Sequence, residues 1–152
     1  MIPAPVSTRP RAAHPLRILY ADDFIELRTF MHTLLTKDGH LIETVPDGQA
    51  ALAWLQKAGP AVDLLITDHH MPVMSGLELV HRLRTTPFAG RIIVFSSELS
   101  PVVREDYRQL GADLILPKPI FPVTLRRVLD EMFAPERRES VHPFVNGDLV
   151  LA

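Results

Sequence analysis

The chain has 152 residues, of which 47% are hydrophobic, and its 16 Lys+Arg against 18 Asp+Glu leave a formal net charge of −2. That length holds one domain of ordinary size with tails, and a charge so near zero excludes a protein whose main task is to coat nucleic acid or an anionic membrane. There are no cysteines, which excludes disulfides and thiolate metal sites and leaves the compartment open.

Residues 1–15, MIPAPVSTRPRAAHP, carry four of the 14 prolines and are broken by Arg9 and Arg11. They lack the apolar core of a signal peptide and are expected to form a flexible leader. No apolar run approaches the roughly 18 residues that span a bilayer, so a soluble, cytoplasmic protein is expected. From Leu16 short apolar runs alternate with helix-period segments. Leu16–Tyr20 reads as a strand. Leu27, Phe30, Met31, Leu34 and Leu35 then form an amphipathic stripe. Leu41–Val45 is the next strand, and Leu52 and Leu55 mark a helix after Asp47-Gly48, with Trp54 as packing or partial surface. Asp63–Thr67 precedes the stripe Leu79, Val80, Leu83. Arg91–Phe95 precedes Val103, Tyr107 and Leu110. Asp113–Leu116 precedes Leu125, Val128, Leu129, Met132 and Phe133.

The strand runs are short and rich in Ile, Leu and Val, as suits a parallel sheet covered on both faces. Gly39, Gly59, Gly90 and Gly111 separate helices from strands, where a left-handed C-cap is wanted. Pro101 and Pro122 suit the first turn of a helix. The expected architecture is α/β: residues 16–133 as a doubly wound (βα)5 domain with a five-stranded parallel sheet, helices on both faces and right-handed crossovers. Residues 134–152 are expected to be a short tail without an output domain; Val141, Phe144, Val145, Leu149, Val150 and Leu151 suit it to docking on the body or on a partner.

In an open α/β sheet, ligands bind beyond the carboxyl ends of the strands. Asp22 and Asp23 follow the first strand, Asp68 the third, Ser96 and Ser97 the fourth, and Lys118 the fifth. Each has an ordinary explanation on its own: Asp22, Asp23 or Ser96 as a helix N-cap, Asp68 as a strand end, Lys118 as a solvated surface residue. Together they bring three carboxylates, a hydroxyl and an ammonium to one sheet edge. Three neighbouring carboxylates repel unless a cation neutralises them. The usual cation for oxygen-rich sites is Mg2+, held by one or two carboxylates, waters and phosphate oxygens.

Asp22-Asp23, Asp68 followed by Met71-Pro72 and Ser75-Gly76, then Ser96, then Lys118-Pro119, together resemble the receiver domain of two-component response regulators. ADDFIELRTFMHTLL is similar to the opening of that family's single-domain members. The resemblance covers about Leu16 to Phe133 and implies the flavodoxin/CheY-like strand order 2-1-3-4-5. It implies that Asp68 takes a phosphoryl group from a histidine kinase or histidine phosphotransfer protein. It also implies Mg2+ held by Asp23 and Asp68, by the backbone carbonyl of His70, and by Asp22 largely through water. Lys118 would pair with a phosphoryl oxygen, Ser96 would swing to bond another, and the Lys118–Pro119 bond would be cis.

Three features depart from the family pattern. Ile115 stands where the family often has an aromatic residue or His that turns inward during switching. Pro117 removes a backbone donor just before Lys118. His69 and His70 after Asp68 resemble the start of a DHH phosphoesterase motif, but the further aspartates and second lobe of that family are missing. His70 also occupies the place where a haloacid-dehalogenase phosphatase has its second acid. The expected role of His70, with Glu98, is to set how water reaches the phosphoryl group. The other histidines (His14, His32, His40, His81, His142) are scattered and not expected to bind metal. The expected output is protein–protein, through the face of helix 4, strand 5 and helix 5, or a phosphorelay step, with no DNA and no membrane partner; a homodimer is compatible with it. A competing function is a phosphatase or other small α/β enzyme using the same carboxylates.

Overall fold

The computed structural model describes residues 15–58, 61–134, 142–145 and 148–150. The chain divides into two compact units between Pro119 and Ile120. The first unit runs β1 (Arg17–Ala21), α1 (Ile25–Lys37), β2 (Leu41–Val45), α2 (Gly48–Ala58), β3 (Leu64–Asp68), α3 (Gly76–Leu83), β4 (Arg91–Ser96), α4 (Pro101–Gln109) and β5 (Leu114–Pro117). The second holds α5 (Pro122–Met132) and the antiparallel pair β6 (His142–Val145) and β7 (Asp148–Val150). The five β/α repeats thus form as expected, with every pair of the five-stranded sheet parallel and its strands in the order β2-β1-β3-β4-β5. This is the flavodoxin/CheY-like arrangement.

Three strands start one residue later than the apolar runs suggest, because polar side chains organise their entries. The Asp63 carboxylate accepts from the Arg17 amide at 2.8 Å, and the Asp113 carboxylate accepts from the Ile92 amide and from Arg91 at 2.8 and 2.9 Å. At the other end Ala21, Asp68, Ser96 and Pro117 join the ladder. The site residues therefore hang directly from hydrogen-bonded strands.

Alternation along the strands places Leu19, Leu65, Ile92 and Val94 on one face, in a core with Leu55 of α2, Leu79, Val80 and Leu83 of α3, and Tyr107 of α4. Ile18, Tyr20, Leu64, Ile66, Ile93 and Phe95 point the other way and are equally buried. On α1 the buried positions are Met31, Leu34 and Leu35, while Phe30 is exposed. Each fully buried side chain of this size contributes about 1.5–3 kcal/mol, so β3, buried along its whole length, is the strongest anchor for Asp68.

Gly39 and Gly111 have φ of 97° and 80°, the left-handed conformation expected after a helix. Gly90 corrects the same expectation: it is not left-handed, and its role is space. A Cβ there would lie 2.7 Å from the Phe88 ring and 2.8 Å from the Val62 carbonyl oxygen. Gly59, the leader residues 1–14, and Val141 and Leu151 of the tail lie outside the described residues. The described tail residues include the β6–β7 pair, which has no counterpart in the sequence reading. No described helix is long and apolar enough to cross a membrane.

Candidate functional site

β1 delivers Asp22 to the carboxyl edge fully buried. One carboxylate oxygen accepts from the Phe24 amide at 2.9 Å, and the other from the Tyr20 hydroxyl at 2.7 Å and Lys118 Nζ at 3.2 Å. Arg28 donates to the Asp22 carbonyl at 2.7 Å. Asp22 is therefore no helix cap: the N-cap of α1 is Phe24, without a side-chain bond. Burial first, then the bond to Asp22, pushes the Tyr20 phenol far above its ordinary value, so Tyr20 is a permanent donor.

Asp68 ends β3 with 8% of its side chain exposed. Lys118 Nζ lies 3.2 Å from its Oδ2, so one ammonium bridges Asp22 and Asp68. Burial raises the Asp68 carboxyl above its ordinary value; Lys118 opposes this and Asp22 adds to it. Asp23 is exposed, and one oxygen from each of Asp22, Asp23 and Asp68 lies within 4.8 Å of the others. Three oxygen donors at that separation fit a hard divalent cation. Among the described residues they are the only group of three or more His, Asp or Glu so placed, and neither His69 nor His70 belongs to it. A histidine-rich metal centre of the DHH kind is absent from the described residues.

Ser96 is buried at the end of β4, and its hydroxyl donates to the Glu98 carbonyl at 3.1 Å, turned toward the following loop. The N-cap of α4 is Ser100, whose hydroxyl accepts from the Val103 amide. The Lys118 amide donates to the Ser96 carbonyl at 2.8 Å, and the Lys118–Pro119 bond is cis. Ile115 pairs with Val94 and packs, half-buried, on the core that contains Tyr107. Glu98 and His70 are both exposed. The two adjacent histidines diverge. The half-buried ring of His69 has Nδ1 2.6 Å from the Tyr107 hydroxyl, while the exposed His70 meets it edge-on, with centroids 4.6 Å apart.

Sequence reasoning missed three residues of this environment: Tyr20, Arg28 and the use of Tyr107. Tyr20 was legible in principle, since residues two apart on a strand share a face and its hydroxyl then reaches Asp22. A tyrosine in the apolar stripe of α4 was a comparable signal, because a buried hydroxyl needs a partner.

Residues 18–130 match the response regulator receiver domain family. The chain belongs to that family. It is 33% identical over 114 residues to a response regulator receiver protein of Anaeromyxobacter sp. (strain Fw109-5), a match spanning 75% of this chain and 46% of that protein. It is 37% identical over 116 residues to a gliding motility regulatory protein of Myxococcus xanthus, covering 75% of this chain and 14% of the relative. The chain thus spans half or less of the length of these curated relatives. Among solved structures, the Vibrio cholerae chemotaxis protein CheY4 superposes with a TM-score of 0.70 at 34% identity, covering 78% of this chain and 98% of that one. Receiver domains are phosphoacceptor modules of two-component signalling; they generally bind Mg2+ in an acidic pocket and interact with histidine kinases or phosphotransfer proteins. This receiver domain has such an acidic cluster.

Proposed function

We propose that this receiver domain takes a phosphoryl group on Asp68 and uses it to switch protein–protein contacts or to relay the group onward. The observation that carries the reading is Lys118 Nζ standing 3.2 Å from both the Asp22 and Asp68 carboxylates, with Asp23 beside them. A buried carboxylate freed of its proton, next to a positive charge that will meet the incoming oxygens, is a positioned nucleophile.

In the transfer, an Asp68 carboxylate oxygen attacks phosphorus and a new P–O bond forms. The P–N bond to the donor histidine breaks, and its electron pair stays on the imidazole. Bound Mg2+ supplies the charge that offsets the phosphoryl oxygens. Asp23 and Asp68 would hold it by their carboxylates, His70 by its backbone carbonyl, and Asp22 through water, since Asp22 already accepts from three protein donors. Lys118 would move from the carboxylate pair to a phosphoryl oxygen. Ser96 would exchange its bond to the Glu98 carbonyl for another phosphoryl oxygen. A charge-assisted bond of this kind is worth about 1.5–3 kcal/mol, enough to shift a two-state loop by tenfold or more. The donors fitting this chemistry are a sensor histidine kinase or a histidine phosphotransfer protein.

His70 and Glu98, two residues beyond Asp68 and Ser96 and both exposed, are proposed to control water access and so autodephosphorylation. Replacing both with alanine is expected to change the aspartyl-phosphate lifetime severalfold in a decay assay; an unchanged lifetime removes them from that role. The phosphoacceptor reading itself is tested with acetyl phosphate and Mg2+. The expected result is about one phosphoryl group per chain, and none on the Asp68→Asn variant. Sustained hydrolysis of unrelated phosphate esters would instead indicate a phosphatase.

A further inference from the structure

Helix α4 has one fully buried side chain, Tyr107. Its hydroxyl lies 2.6 Å from Nδ1 of His69, the residue after Asp68, and the two rings meet edge-on with centroids 5.5 Å apart. The surrounding backbone is tightly tied. The His69 amide donates to the Phe95 carbonyl of β4 at 3.1 Å, and the Gly76 amide that opens α3 donates to the His69 carbonyl at 2.9 Å. Space there is exhausted: a Cβ on Gly76 would lie 2.3 Å from the Asp68 carbonyl oxygen, 2.8 Å from the Tyr107 hydroxyl and 3.1 Å from His69 Cα. The tip of an α4 side chain thus rests directly on the main chain of the phosphoacceptor segment. On β5, by contrast, Ile115 has no polar atom with which to follow a movement of Ser96.

We infer that Tyr107, through its hydrogen bond to His69, is a positioning residue that ties α4 to the backbone of Asp68, so that filling the Asp68 pocket moves α4. This rests on the phosphoacceptor reading. Packed groups with no free space transmit displacement rather than absorb it, and the hydrogen bond fixes which part of α4 receives it. The bond also joins a segment that would carry an ion ligand, the His70 carbonyl, to a helix that carries none. A hydrogen bond made only to satisfy a buried hydroxyl would be silent when the pocket is filled. The coupling proposed here is not.

The test is a beryllofluoride titration with Mg2+ on the full chain, following fluorine resonances for occupancy of the pocket and backbone amides of residues 101–109 for the response of α4. In the wild-type protein both change together. In Tyr107→Phe, which keeps the ring, the fluorine signal still saturates while the α4 shifts fall to roughly half or less, as expected for loss of a bond worth a several-fold bias. His69→Leu behaves the same way, the double variant is no worse than either single one, and His69→Gln, which keeps a hydrogen-bonding partner, restores the response. Thermal melts confirm that each variant is folded. Full-sized α4 shifts in both Tyr107→Phe and His69→Leu overturn the inference, as does a wild-type protein that binds beryllofluoride without any α4 shift. Failure of the wild-type protein to bind beryllofluoride at all overturns the phosphoacceptor reading instead, and the coupling with it.

Discussion

Asp68 is held in a conflict that its chemistry would resolve. Burial and the Asp22 charge both disfavour its ionised form, and the bridging Lys118 offsets this only in part. Its folded-state pKa therefore lies above the ordinary 3.8. An acid whose pKa is raised on folding contributes stability below its unfolded pKa and loses that contribution as pH rises through the folded value. In the absence of divalent ions, the wild-type protein is expected to lose stability relative to Asp68→Asn as pH climbs above about 4, measured by denaturant melts across pH; parallel curves would contradict this. Tyr20 makes the opposite contribution, donating to the buried Asp22 carboxylate. Tyr20→Phe leaves that charge one donor short and is expected to destabilise the fold by about 1.5–3 kcal/mol, the range for a hydrogen bond to a charged group. At this scale the carboxylates, Ser96 and Lys118 were legible because they follow predicted strands. The divergence of His69 from His70 was not, because adjacent residues in a loop carry no period that says which one turns inward.

At the level of elements, the connection from β3 to α3 holds the strain. Val73 has φ 69° and is 73% exposed, and the Met74 amide donates to the Pro72 carbonyl at 2.7 Å, closing a γ-turn about a β-branched residue that disfavours positive φ. Val73→Gly is expected to stabilise by up to about 1 kcal/mol, relief of strain exceeding the entropy that glycine adds to the unfolded chain; a lower melting temperature would contradict it. Gly76 in the same connection is irreplaceable for a different reason. Gly76→Ala drives a methyl against the Asp68 carbonyl oxygen and is expected to cost about 1–3 kcal/mol, with Gly48→Ala, which meets the Met74 carbonyl oxygen at 2.6 Å, as a comparable case elsewhere. The apolar stripes of α1, α3 and α4 were readable from their spacing alone, since burial of Leu34, Leu79 and Tyr107 is what creates that spacing. Gly90 was misread because sequence shows that a glycine is needed and not whether φ or space requires it.

For the whole molecule, five alternating repeats made the parallel sheet legible, whereas the order β2-β1-β3-β4-β5 was implied only by the family resemblance, because alternation alone is shared by doubly wound sheets of different strand order. The β6–β7 pair escaped the reading because its segments are three and four residues long, too short to establish a period. Ion binding is expected to act on the entire fold: Mg2+ at a hundredfold excess over its dissociation constant should stabilise the wild-type chain by about 2.7 kcal/mol, and Asp23→Asn or Asp68→Asn should lose most of that gain in a thermal shift assay. The most direct measurement of the account as a whole is to expose the chain to acetyl phosphate and Mg2+, trap any acyl phosphate by borohydride reduction, and locate the reduced residue by peptide mass spectrometry. Reduction at Asp68 alone, abolished when Mg2+ is chelated, is the result this account predicts. Reduction at another carboxylate, or phosphorylation that persists in Asp68→Asn, would contradict it.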